Sequence, residues 1–153
     1  MPDTSSVRLE QLMPLMQERL AAGESVQFTP NGTSMRPMLW GGRDQVILSP
    51  LPKQLKKYDL PLYRRDNGQF VLHRIVKVEE TYTCIGDNQF EYEPGIRQDQ
   101  MIALATGLIR KGKKYRLNGI GYGLYCRLWQ GTRPFRGFVL RIYYGIKRRL
   151  SGQ

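Results

Sequence analysis

Apolar residues near the N-terminus recur every three or four positions, which is typical of one face of an α-helix. We predict a helix over residues 7–22, ended by Gly23. Pro14 has no backbone N–H group, so we expect it to kink this helix or to shorten it at its N-terminal end. The apolar residues expected to share one face are Val7, Leu9, Leu12, Met16 and Leu20.

From Ser25 to about Leu108 the pattern changes to short strand-like runs separated by turns. The predicted strands are 26–30, 45–49, 59–63, 69–78, 81–87 and 101–109. The Asn67-Gly68 pair between two of these runs is a strong signal for a β-hairpin. We therefore predict a mainly β, α+β fold that is built from hairpins.

Beyond residue 110 the composition shifts to glycine, aromatic and basic residues. Apolar residues fall at helical spacing, basic residues occupy the remaining faces, and Pro134 is suited to the helix start. The apolar set is Phe135, Phe138, Val139, Ile142, Tyr143, Ile146 and Leu150. We predict two units: a β domain over residues 1–110 that includes the N-terminal helix, and a basic, aromatic arm over residues 111–153 that ends in an amphipathic helix.

The charge distribution supports this division. The formal net charge is +11, but residues 1–99 carry 12 Lys/Arg against 13 Asp/Glu, whereas residues 100–153 carry 12 Lys/Arg and no acidic residue. The whole positive excess therefore belongs to the C-terminal third, which indicates a near-neutral domain followed by a basic surface.

Several classes of protein are excluded by composition. Cys84 and Cys126 lie far apart and the chain has one histidine, so no metal or disulfide spacing is present, and we expect two buried, reduced thiols and no cofactor. Polar residues interrupt the first apolar stretch, which is unlike a signal peptide. No apolar run approaches the length of about 18 residues that spans a bilayer. We expect a cytoplasmic protein, with peripheral attachment to the inner face of the membrane left open.

Three short segments carry candidate chemistry. In Asn31-Gly32-Thr33-Ser34-Met35-Arg36-Pro37-Met38, a glycine and a proline flank a serine directly after a strand, a bend that can present a hydroxyl beside backbone N–H groups. Leu72-His73-Arg74-Ile75-Val76 places the one histidine, the residue type that most often acts as a general base, within an apolar strand. Gly86-Asp87-Asn88 ends the next strand. Taken singly, each segment is also compatible with an ordinary turn or strand.

Taken in order, Gly-x-Ser-Met-x-Pro, Val-Leu-His-Arg-Ile-Val and Gly-Asp-Asn resemble the motifs of the signal-peptidase and LexA-type superfamily of serine peptidases. The resemblance spans roughly residues 25–109 and implies the hairpin-built β domain of that superfamily. It implies Ser34 as the nucleophile and His73 as the general base, as in the histidine-bearing signal peptidases of archaea, sporulating bacteria and the endoplasmic reticulum. Asp87 matches the family's aspartate and is the preferred orienting acid. Glu91, Glu93 and Asp99 follow it, and Glu93 is held as the second candidate.

The resemblance implies hydrolysis of a peptide bond, in a leader or precursor peptide, through an acyl-enzyme on Ser34 and without a metal or cofactor. Two departures from the family pattern stand out. Gly32 occupies the place where many signal peptidases have a serine that donates to the oxyanion, so backbone N–H groups and the Thr33 hydroxyl would have to serve. The membrane anchor of signal peptidases is also missing.

Two alternatives stay open. Ala22-Gly23 resembles the bond that LexA-type proteins cut in themselves, which would make the chain a self-cleaving switch. The chain could instead be a non-catalytic binding protein that works through its basic arm, at an anionic membrane surface, at a membrane transporter, or on nucleic acid as the least favoured partner. The arm's aromatic residues, which could equally pack on the β domain, are Tyr115, Tyr122, Tyr125, Trp129, Phe135 and Tyr143.

Overall fold

The computed structural model describes residues 4–150 of the chain as a mixed α+β structure with antiparallel strand pairing. The helices are α1 (Thr4–Ala21), α2 (Gly119–Gly131) and α3 (Arg133–Leu150). The strands are β1 (Val26–Phe28), β2 (Gln45–Ser49), β3 (Pro61–Arg64), β4 (Phe70–Leu72), β5 (Arg74–Val78), β6 (Tyr82–Ile85), β7 (Glu93–Ile96), β8 (Met101–Arg110) and β9 (Lys113–Arg116). A short 3-10 helix at Gln98–Gln100 leads into β8. The coarse class predicted from the sequence is confirmed.

Two sheets make up the β structure. The larger sheet has the order β1-β2-β8-β3-β4, with β9 also paired to β8, and the smaller sheet has the order β5-β6-β7. The long strand β8 is central because it pairs with β2, β3 and β9. Strands β1 and β4 each pair with one neighbour and form the two edges of the path. The Asn67-Gly68 hairpin is confirmed: β3 pairs with β4, and Gly68 takes a φ of +88°.

The core forms on both sides of the larger sheet because successive side chains of a strand point to opposite faces. On β3, Leu62 packs into a cluster with α1 and the segment after β1, whereas Tyr63 packs into a second cluster with the smaller sheet. Both residues are at most 1 % exposed. The second cluster therefore joins the two sheets.

The predicted strand 69–78 is broken at His73. Residues 70–72 belong to the larger sheet and residues 74–78 to the smaller one, so the chain crosses between the sheets at His73. Backbone hydrogen bonds from Tyr58 to Ile75 and from Ile75 to Asp59 fix the start of β5. The run is apolar because residues 71–75 are buried on both sides, and an apolar run does not by itself reveal a change of sheet.

Helix α1 begins earlier than predicted and buries most of the predicted face. It includes Pro14 in its interior, and its buried residues are Met13, Met16 and Leu20, while Leu12 is 47 % exposed. The side chain of Val7 lies outside the part of the chain described. Met16 and Leu20 are therefore buried as predicted and Leu9 packs against the core, whereas Met13 is buried in place of Leu12.

The C-terminal third joins the β structure closely. Strand β9 pairs with β8, so the boundary predicted at residue 110 falls within a β-hairpin. Cys126 on α2 is fully buried against the β domain, and α2 had not been predicted. Helix α3 confirms the predicted amphipathic helix and begins at Arg133. Within residues 4–150, no helix has both the length and the apolar character that crossing a bilayer requires.

Candidate active site

Ser34 lies in the loop between β1 and β2, and that loop is fastened at several points. Met35, 4 % exposed, inserts into the core beside α1, and the Arg36 N–H donates to Thr33 O at 3.2 Å. Gly32 has a φ of +94°, a conformation that favours glycine. A Cβ at Gly41 would lie 2.7 Å from Gly32 N, so only glycine permits this approach. The loop therefore holds Ser34, half-buried, at the edge of a groove.

A buried carboxylate holds the far end of the same loop. Asp44 accepts hydrogen bonds from the Trp40 backbone at 3.0 Å, from Arg43 at 2.7 Å and from Arg110 on β8 at 2.9 Å. Arg110 also donates to the backbone carbonyl of Met38. Burial alone would raise the pKa of Asp44, but the hydrogen bonds from the two arginines outweigh it and hold the pKa well below its usual range. Asp44 thus stays charged and connects the loop to the central strand.

The segment after β6 supports Ser34 from the other side. The Asn88 N–H donates to Ser34 O at 2.8 Å. A Cβ at Gly86 would lie 2.6 Å from Ser34 O and 3.0 Å from Ser34 Cβ, which no ordinary packing tolerates. The first and third predicted segments are therefore in direct contact, and Gly86 is needed because the Ser34 backbone lies against it.

His73 lies at the crossing point between the two sheets and is 4 % exposed. Its Nδ1 lies 3.5 Å from Glu93 Oε2 and 3.4 Å from the Tyr63 hydroxyl. The Tyr63 hydroxyl donates to Glu93 Oε2 at 2.8 Å. Both contacts to the ring are longer than the usual hydrogen bond of about 2.9 Å. The two oxygens therefore hold this side of the imidazole by electrostatic attraction rather than by one short bond.

The hydrogen-bond directions favour one tautomer of His73. Tyr63 uses its own proton on Glu93, and an ionised carboxylate can only accept, so both oxygens favour a proton on Nδ1. The lone pair then resides on Nε2, the nitrogen that a general base would use.

Glu93 is kept ionised by its partners. Arg65 donates to both oxygens, at 2.6 and 2.7 Å. Burial alone would raise the pKa of Glu93, but hydrogen bonds from Arg65, His73 and Tyr63 outweigh it and hold the pKa well below its ordinary value of 4.5. Conversely, burial, with Cys84 and Glu93 adding to it, raises the pKa of Tyr63, so its hydroxyl stays protonated. The imidazole thus faces a permanent negative charge.

Asp87, the acid preferred from the sequence, has different partners. It is fully buried, and its two oxygens accept from Arg74 at 2.8 and 2.7 Å. Tyr125 and Gln130 of α2 donate to the same carboxylate at 3.0 and 3.2 Å. Because its oxygens are committed in this way, Asp87 does not orient the imidazole in this structure. Glu93, the second candidate, replaces it as the carboxylate beside His73.

Ser34 and His73 line one groove with a volume of about 700 Å³. Residues of the edge strands β1 and β4 and of α1 line the same groove, among them Phe28, Phe70 and Leu12. No hydrogen bond between the described residues joins the Ser34 hydroxyl to the His73 ring. Such contacts are often long until substrate is bound. The groove is therefore lined by a hydroxyl, an imidazole held at Nδ1 and two edge strands, β1 and β4.

Sequence reasoning missed Tyr63, Arg65 and Arg74 as parts of this arrangement. The position of Arg74 offered a signal, since a charged residue inside an apolar run needs a buried partner. Tyr63 and Arg65 offered none, because both are ordinary residues at a strand end.

No family model, curated protein or solved structure matches the chain.

Replacing Glu93 with glutamine should lower stability in a pH-dependent way. Because the folded pKa of Glu93 is depressed, its contribution is fully present above the unfolded value and is lost as the pH falls towards the folded one. We expect Glu93→Gln to reduce the free energy of unfolding by about 2 kcal/mol at pH 7, with the difference narrowing below pH 4 in urea denaturation. Glu79→Gln, which breaks the exposed pair with Lys77, should change little. A difference that is constant from pH 7 to pH 3 would contradict the assignment.

Substituting alanine at Gly86 tests the close approach to Ser34. The added Cβ has no room, so Gly86→Ala should cost about 1–3 kcal/mol in chemical denaturation. The matched control is Gly121→Ala on α2, where a Cβ meets nothing within 4 Å. That control should be neutral or stabilise the protein by up to about 1 kcal/mol. Equal effects of the two substitutions would show that the segment at Gly86 can move away from Ser34 freely.

Proposed function

We propose that the protein is a serine endopeptidase in which Ser34 is the nucleophile, His73 the general base and Glu93 the orienting acid. The observation that carries the proposal is that Ser34 and His73 line one groove, with the Nδ1 side of the ring held by Glu93 and Tyr63. A hydroxyl, a neutral imidazole and a carboxylate are the groups that acyl transfer by serine requires. The motif order that resembles the signal-peptidase and LexA-type superfamily supports the same activity and that superfamily's fold.

In the proposed mechanism, Nε2 of His73 takes the hydroxyl proton of Ser34 as the oxygen attacks the peptide carbonyl. The imidazolium then gives the proton to the leaving amine, and an ester forms on Ser34. A water molecule then gives a proton to Nε2 of His73 and attacks the ester. The acid product is released, and His73 returns the proton to the Ser34 oxygen. Glu93 stays ionised throughout and stabilises the imidazolium, because its depressed pKa prevents it from taking the proton.

The oxyanion would be stabilised by the backbone around Ser34. Among the hydrogen bonds of the described residues, none uses the Ser34 backbone N–H, so that donor is available. The Thr33 hydroxyl is a second candidate, whereas Gly32 has no side chain to contribute. The Asn88 bond to Ser34 O fixes the adjoining peptide units, which keeps the donor aligned before the reaction begins.

The substrate would be an extended peptide, such as a leader or precursor segment. Strands β1 and β4 each have one paired edge and line the groove, so a peptide between them could pair with either. Side chains alternate in direction along such a peptide, and Phe28, Leu39 and Leu72 offer apolar contacts on the groove side. Pairing with an edge strand would position the scissile carbonyl through hydrogen bonds of the peptide backbone rather than through one side chain.

Self-cleavage at Ala22-Gly23 is the less favoured alternative. The bond lies in the turn directly after α1, where Ala22 N–H donates to Glu18 O and Gly23 N–H to Leu20 O. Helix α1 reaches the groove at Leu12, ten residues earlier, which is about 15 Å along a helix axis. A clip at Ala22 in the purified protein, absent in Ser34→Ala, would favour this alternative.

Nucleic-acid binding by the arm is weakened because three of its aromatic residues are bonded to the β domain. Tyr122 donates to Tyr58 O, Tyr125 to Asp87, and the Trp129 indole to Asp87 O at 2.9 Å. Side chains that are bonded to the β domain in this way are not available to stack on nucleic-acid bases.

Cleavage of a proteome-derived peptide library, detected by mass spectrometry, tests the proposed activity. The unmodified protein should generate new peptide termini, and Ser34→Ala and His73→Ala should each reduce their formation by about 10³-fold or more. Ser25→Ala removes an exposed serine by the same substitution and should cleave as the unmodified protein does. Cleavage that persists in Ser34→Ala, or no cleavage by any form, would refute the proposal.

Peptidase activity should depend on Glu93 and not on its neighbour Glu91. Glu93→Gln removes the charge beside Nδ1 and places an amide there, so we expect kcat/KM to fall by about 10²–10⁴-fold in a protein that remains folded. Glu91→Gln, at an exposed residue before β7, is the matched control and should retain activity. Full activity in Glu93→Gln would exclude it as the orienting acid.

A further inference from the structure

An outward-facing row of apolar side chains runs along α2 and α3. Within each helix its members follow one another at intervals of three or four residues, which places them on one side of that helix. They are well exposed, up to 93 % at Ile120 and 69 % at Phe135. We name this row the apolar stripe: Ile120, Leu124, Leu128, Phe135, Phe138 and Ile142.

The stripe faces outward because the opposite side of the helices is committed to the β domain. Cys126 of α2 is fully buried, and the neighbouring Trp129 bonds to the backbone of Asp87. Arg133, 3 % exposed, donates to Gly86 O at 3.3 Å. A Cβ at Gly137 would lie 3.3 Å from the Phe90 ring, so α3 also approaches the domain by a side without apolar bulk. Turning the stripe inward would break these contacts.

The surroundings of the stripe are strongly basic. Residues 100–153 carry 12 Lys/Arg and no acidic residue. Arg127 and Arg141 are exposed on the same two helices, and the β8–β9 hairpin adds exposed Lys113 and Lys114. The helices that carry the stripe thus combine exposed apolar area with exposed positive charge.

We propose that α2 and α3 form an interfacial anchor that binds an anionic lipid bilayer, with the apolar stripe at the level of the acyl chains. An amphipathic helix of this kind lies in the plane of the interface, with its apolar face about 5–10 Å into the headgroup and acyl boundary. Each Lys/Arg near an anionic surface adds to the attraction. A bilayer supplies both complements of this surface, the apolar interior and the negative headgroups.

Other occupants match one property of the surface but not both. A nucleic acid would neutralise the charge but leave the stripe in water. A second copy of the chain could cover the stripe, but it would bring two basic surfaces together, which repel each other. The proposal does not depend on peptidase activity, because it concerns a surface that includes neither Ser34 nor His73.

Flotation of the full chain with vesicles tests the anchor. At low salt the protein should float with vesicles of phosphatidylcholine and phosphatidylglycerol and remain at the bottom with phosphatidylcholine alone.

Phe138→Ser combined with Ile142→Ser removes apolar area without changing charge and should weaken partitioning by roughly tenfold or more. The matched control, Leu15→Ser combined with Val78→Ser, alters two exposed apolar residues elsewhere and should float normally. Arg127→Gln combined with Arg141→Gln should weaken binding to the anionic vesicles on the order of tenfold.

The proposal is overturned if the unmodified protein does not float with anionic vesicles, or if the double serine variant at Phe138 and Ile142 floats as well as the unmodified protein. Light scattering after size exclusion gives the remaining outcome. A dimer that the same variant converts to a monomer, without vesicle binding by either form, would assign the stripe to self-association and refute the lipid anchor.

Discussion

A guanidinium and a carboxylate meet in the interior of this protein, both without exposure to solvent. Arg74 donates to the two oxygens of Asp87 at 2.8 and 2.7 Å. Burial alone would lower the pKa of Arg74, but Asp87 outweighs this effect and the pKa is raised. Removing one member of such a pair leaves an unpaired buried charge and typically costs about 3–5 kcal/mol. Neither residue can therefore move independently, and the segments that carry them are fixed together.

Those segments carry His73 and the residues that contact Ser34. Arg74 follows His73 directly, so the ion pair fixes the backbone next to the imidazole, while the ring itself faces Glu93. Asp87 lies between Gly86 and Asn88, the two residues that contact Ser34. The hydroxyl and the imidazole thus come from distant segments, but one buried pair sets the position of both. Ser34 and His73 keep their positions in the groove because the buried ion pair of Arg74 and Asp87 is rigid.

Local sequence patterns predicted the elements that their own residues determine, such as the Asn67-Gly68 hairpin and the amphipathic helix near the C-terminus. They could not predict which distant segments become partners. Asp87 and Glu93 both follow β6, and spacing alone does not say which carboxylate faces His73. Arg74 binds Asp87 and Arg65 binds Glu93, and the position of Arg74 depends on the break between the sheets at His73. That break is invisible in an apolar run that is buried on both sides.

The use of α2 as a lid over Asp87 has a practical consequence for protein engineering. A truncation after β9 would delete two of the side chains that donate to this carboxylate, Tyr125 and Gln130, and would uncover the interior ion pair. The C-terminal third is therefore not a detachable tail, despite its basic and glycine-rich composition. A variant with better solubility should be sought by redesigning the outward side of α2 and α3. Deleting these helices would expose the ion pair that fixes the groove.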